Sequence, residues 1–232
     1  PVAAQAEQAP ANSSFTREEL EKLLAPIALY PDPLLAQRLP ASAYPVQIVQ
    51  AQRWLDKNKA LVAKNDYSGI DKQDWDPAVK ALARFPDVIA RLNADLDATS
   101  DLGDAFVNQP EDVASVIQAL RREAQAAGSL QTTPQQRVVV QDQGDTSYIA
   151  IEPADPGVIY VPSYDPAVVY SDTGVSAVGA GLIGFGLGVA VGAVADNVWD
   201  WGRGWVYPPR WPGYPGYGPG GSVNIDRNVN IG

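Results

Sequence analysis

The chain has 232 residues, a formal net charge of −10, and no histidine, cysteine or methionine. This composition excludes disulfides, thiol and imidazole catalysis, and soft or imidazole metal sites. The acidic balance argues against a nucleic-acid partner, and no Asp/Asn loop has calcium-site spacing, so no metal or other cofactor is expected.

Residues 1–14 are small, polar and proline-containing, with no apolar periodicity. They read as the flexible start of a processed, exported chain, with a disordered cytosolic terminus as the alternative. A helical unit is expected over 15–133. Its first helix starts at Thr16, which forms a Thr-x-x-Glu capping box with Glu19, and carries Leu20, Leu23, Leu24 and Ile27 at helical spacing. Proline then marks helix starts repeatedly, at Asp32-Pro33, Tyr44-Pro45, Asp76-Pro77, Phe85-Pro86 and Gln109-Pro110. Residues 16–127 thus read as five to seven short helices, the last with Arg121 and Arg122 near its end and Gly128 as its stop.

After Pro134 the period changes from near four to near two. Short Val-, Ile- and Tyr-rich runs at 137–141, 148–152, 158–161 and 168–170 point to a small antiparallel sheet or meander over 134–172, packed on the helices. The clearest hairpin lies around Gln143, Gly144 and Asp145, and prolines 153, 156, 162 and 166 confine strands to edges or ends. The fold class is α+β.

The strings LLAPIALYPDPLLAQRLPASAYPVQIVQAQRWL, WDPAVKALARFPDV, LGDAF, TPQQRVVV and IEPADPGVIYVPSYDPAVVY, together with Trp-Asp-Trp-Gly-Arg-Gly at 199–204 and the Asn-Val-Asn-Ile pattern of 223–231, carry a family resemblance. Over about residues 20–170 the chain resembles the family called domain of unknown function 3300, found in Gram-negative envelope proteins. The resemblance implies export to the periplasm, outer membrane or cell surface. It implies no reaction and no catalytic residues.

Residues 173–197 form an uncharged-centred, glycine-rich stretch, and two patterns coexist in it. Ala180, Gly184, Gly188 and Gly192 recur every four residues, the groove of a closely packing helix. From 184 to 192 glycine or alanine also alternates with Phe185, Leu187, Val189 and Val191, a strand with one smooth and one bulky face. As a helix, residues 175–195 would span about 32 Å, enough for a bilayer; a buried or soluble segment is the third reading. Both the helix and the strand lead to a homo-oligomer.

In the tail, 198–232, Trp199, Trp201, Trp205, Tyr207 and Trp211 lie among Gly, Pro and Arg with few aliphatic neighbours. They are candidates for an interfacial belt, for stacking on sugars, or for contacts between copies. Trp54 and Trp75 read as core. Asp32, Asp76 and Asp165 each precede a proline, and capping explains them better than acid–base work. The expected function is therefore a non-enzymatic envelope protein that self-associates through its glycine-rich segment at or in a membrane. A cell-wall or glycan-binding module using the tail aromatics, and a carboxylate hydrolase, are the alternatives.

Overall fold

A computed structural model describes residues 14–171, 182–191 and 199–206, which form an α+β fold. The expectations for residues 1–13, Ala180, Gly192, Tyr207, Trp211 and the Asn-Val-Asn-Ile pattern lie outside the described residues, and of Trp205 only the backbone is described.

Helix α1 (Arg17–Leu24) begins with the capping box: Glu19 N donates to Thr16 Oγ1 at 3.3 Å and Thr16 N donates to Glu19 Oε2 at 2.8 Å. Prolines in the first turn open α2 (Asp32–Ser42), α3 (Pro45–Lys57), α6 (Pro77–Leu82), α7 (Pro86–Ala94) and α9 (Pro110–Ala126). Each supplies a fixed φ where no backbone N–H is needed. Between them lie α4 (Lys59–Val62), α5 (Ser68–Asp71) and α8 (Leu96–Asn108). The count exceeds the expected five to seven because α4 and α5 are single four-residue turns, too short to show a period. Where α8 crosses the end of α2, a side chain at Gly103 would sit 2.6 Å from Ala43 N, so glycine permits the approach.

The first two strands, β1 (Gln136–Gln143) and β2 (Thr146–Pro153), form the expected hairpin, with Gly144 at φ 65° in its turn. The run at 168–170 does not become a strand. Asp165 caps a short helix α10 (Pro166–Val169) by accepting from Ala167 N at 2.9 Å, and the Asp-Pro start overrides the β-prone Val-Val-Tyr. Strand β3 (Val158–Ser163) instead pairs antiparallel with β4 (Gly184–Ala190), and a last pair joins β5 (Trp199–Asp200) to β6 (Trp205–Val206).

The helical part is not complete without the later segments. Ile159, Val191, Trp199 and Trp201 pack in the same buried cluster as Leu24, Leu35, Val79 and Ile117 from the helices. A second cluster joins Leu29 and Ala124 to Ile149, Ile151 and Val169, which glues the hairpin and α10 onto α9. The glycine-rich stretch itself contributes to this core at Val191, which is buried.

Candidate functional site

The Tyr-Pro-Asp-Pro turn before α2 is the meeting point of the molecule. Asp32 was expected to cap α2, but Pro31 holds the cap position and the carboxylate points elsewhere. Its Oδ1 lies 2.7 Å from Arg121 Nη1 and accepts from Ile151 N at 3.3 Å. Arg121 is 0% exposed. Its guanidinium donates to the carbonyls of Ala28 at 2.8 Å, Ile149 at 2.8 Å and Tyr30 at 3.0 Å, and lies 4.8 Å from the Trp201 ring centroid. Beside it, Gln118 donates to Ile149 O and accepts from Ile149 N, closing both backbone groups of that residue. Burial pushes the Asp32 carboxyl above its ordinary range, and Arg121 opposes that rise.

Arg121 was read as a helix-end cation, and the structure corrects this. It falls four residues after Ile117 and eight after Val113, on the stripe α9 buries, which is the sequence signal for its position.

Trp199 and Trp201, expected in an interfacial belt, stacked on sugars or between copies, are instead buried in the chain's own core, 4% and 3% exposed. Their rings stack at 4.3 Å with 7° between planes, and Trp199 Nε1 donates to Asp32 O at 3.0 Å. The Gln143 side chain donates to Trp199 O and accepts from Trp201 N, fastening the pair to the β1–β2 turn. The aliphatic partners missing from the tail are supplied by the helices. Gly204 ends the motif at φ 64°, where a side chain would lie 2.8 Å from Glu111 N and overlap Pro110, so the backbone at Gly204 lies flush on the start of α9.

Gly184, Phe185, Leu187, Gly188 and Val189 all fall in β4, so the helical groove is not formed at Gly184 and Gly188. Three glycines within seven residues would each cost a helix about 1 kcal/mol, and β3 is available as a strand partner. Leu187 is 93% exposed, whereas Phe185 and Val189 are half-buried. Gly188 faces Tyr160 across the pair, and a side chain there would lie 2.9 Å from the Tyr160 ring.

The remaining carboxylate candidates are held by backbone. Asp76 accepts from Ala78 N at 2.8 Å as the cap of α6, and burial raises its pKa. Asp165 caps α10. Among the described residues no three His, Cys, Asp or Glu side chains stand close enough to hold a metal ion, and no helix is long and apolar enough to cross a membrane.

An open concavity of about 550 Å³ lies between α3 and the loop before α6. Gln50, Arg53, Trp54 and Lys57 line one side, and Gln73 and Asp74 the other, over a floor of buried Trp75. Trp75 is core, as its position predicts. Trp54 is only half-buried and shows part of its indole to the cleft.

Residues 16–178 match the family described as "Protein of unknown function (DUF3300)". The chain belongs to this DUF3300 family. It is 35% identical over 188 residues to the "Uncharacterized protein YacH" of Escherichia coli (strain K12), a match that covers 69% of this chain and 30% of that protein. No solved structure matches at a significant level. The DUF3300 match ends at residue 178, before Val191, Trp199 and Trp201, which complete the core.

Proposed function

We propose that this chain is an exported, non-catalytic envelope protein that assembles with copies of itself through the free edge of β4. The observation that carries this reading is the strand itself. β4 is seven residues long, contains neither a charge nor a proline, and belongs to a two-stranded sheet in which no described strand occupies its other side. Soluble proteins guard such edges with Lys, Pro or short length, because unpaired N–H and C=O groups recruit further strands. Leu187 adds an exposed apolar side chain that a second copy would cover. The envelope location rests on the resemblance to Gram-negative envelope proteins.

Leu187→Lys tests the assembly because it places a charge on the open edge without touching β3. Gly188 is a poorer choice, since a side chain there would meet Val158 Cγ1 at 2.6 Å and disturb the β3–β4 pair itself. Native mass measurement is expected to show an oligomer for the wild type and monomer for Leu187→Lys, with unchanged helix content. A wild-type monomer, or an oligomer indifferent to the substitution, defeats the proposal.

The Trp54 cleft favours a second reading, a glycan-binding module. An indole face beside amides and charges of both signs matches the mixed apolar and hydrogen-bonding surface of a sugar. In this reading the sugar platform is Trp54 rather than buried Trp199 and Trp201. Trp54→Ala is then expected to lose most retention on purified cell wall while Leu187→Lys keeps it; equal retention by all three proteins removes this reading.

A further inference from the structure

Two guanidiniums meet at one phenol with no carboxylate between them. Arg38 Nη1 donates to the Tyr30 hydroxyl at 3.3 Å, and Arg91 Nη1 donates to the same oxygen at 3.0 Å. Arg38, from α2, is 9% exposed, and its Nε is buried without a hydrogen-bond partner among the described residues. Arg91, from α7, is exposed, so the cluster opens to solvent on its side. Arg17, Arg84, Arg121, Arg137 and Arg203 all pair with carboxylates, yet among the described residues neither Arg38 nor Arg91 does.

The orientation of Arg91 is informative. Asp87 stands four residues earlier on the same helix, at the spacing that favours an ion pair, and Asp95 follows just beyond the helix end. Arg91 instead turns toward Tyr30 and a second cation. Burial lowers the Arg38 pKa, and the nearby Arg91 charge adds to that lowering. The Tyr30 ring, whose centroid lies 5.3 Å from the Arg38 guanidinium carbon, offsets part of the cost of a buried charge facing a like charge, and an anion would neutralise both.

Tyr30 completes the donor set. Its oxygen already accepts two hydrogen bonds, so its own O–H is left to donate, and among the described residues no acceptor takes it. An O–H and two guanidinium forks gathered at one oxygen, reached from the exposed Arg91 side, match an oxyanion with several acceptor oxygens. Two positive charges match a phosphate monoester, which carries about −1.5 to −2 at neutral pH.

We propose that Tyr30, Arg38 and Arg91 form a binding site for a phosphate monoester, with Arg38 as its buried floor and Arg91 as its movable outer arm. The phosphate has two possible sources, a soluble ester or a lipid bearing a terminal phosphate, and separate arms of the test distinguish them.

Inorganic phosphate titrated against the full chain at constant ionic strength, with chloride as the balancing salt, is expected to raise the unfolding temperature saturably. Arg91→Gln, a surface change, is expected to weaken phosphate binding by about tenfold or more, the share of one charge-assisted contact. Tyr30→Phe should weaken it while keeping the ring in place. Arg38→Met should fold at least as well as wild type without phosphate, because an unpaired buried charge is gone, and should lose the phosphate response. A wild type indifferent to phosphate, or variants that respond as wild type does, overturns the site. In the second arm, flotation with phosphatidic acid vesicles but not phosphatidylcholine vesicles, lost in Arg91→Gln, supports a lipid source. A phosphate response without flotation supports a soluble one.

Discussion

Replacing Arg121 with Met is expected to remove about 3–5 kcal/mol of stability, the usual loss when one member of a buried pair is deleted. The substitution leaves the Asp32 carboxyl buried without its cation, and it strips a donor from each of the Ala28, Tyr30 and Ile149 carbonyls. Urea unfolding followed by far-UV circular dichroism measures the loss. Asp32→Asn should be milder, because Arg121 keeps its three carbonyls and Ile151 N keeps an acceptor. The Arg121→Met deficit should also depend on pH. With its cation gone, Asp32 holds a proton more firmly in the folded chain than in the unfolded one. Stability then falls as pH rises from the unfolded carboxylate value through the raised folded one, so the gap to wild type widens toward neutrality. Equal stability of Arg121→Met and wild type at neutral pH would show that the pair contributes nothing net.

Trp199→Ala is the second large effect, about 3–5 kcal/mol from the lost indole and the cavity left behind. The variant uncovers Asp32 O, removes the ring stacked on Trp201, and opens the helical core at a point far along the chain. Tryptophan fluorescence is a direct control, since the remaining indoles should redden as Trp201 becomes wet. A surface aromatic would give a change within about 0.5 kcal/mol. A loss that small would mean that Trp199 and Trp201 do not rest on the core in solution.

The local signals were legible and the distant ones were not. Thr16 with Glu19, the Pro45, Pro77, Pro86 and Pro110 starts, and the Gly144 turn are each decided within a few residues, so sequence spacing alone places them. The Arg121 and Trp199 environments depend on partners far away in the chain, and no local period reports them. Residues 168–170 do not form the strand their composition favours, because β propensity is weaker than an Asp-Pro start. For residues 184–190 both periodicities were present in the letters. The strand is decided by β3, which pairs with it from Val158 to Ser163. The Tyr30, Arg38 and Arg91 cluster has no sequence signature, because its members come from three separate stretches and only their shared oxygen unites them.

The hydrogen bond from Trp199 to the Asp32 carbonyl joins residues 167 positions apart. Its consequence concerns timing. A chain that emerges from its N-terminus has made Asp32, Arg38 and the whole of α9 long before Trp199 and Trp201 arrive to close the core over them. Contacts of such span form late and slowly. The helical core therefore stays uncovered at Asp32 until Trp199 and Trp201 are available, and it closes in one late step.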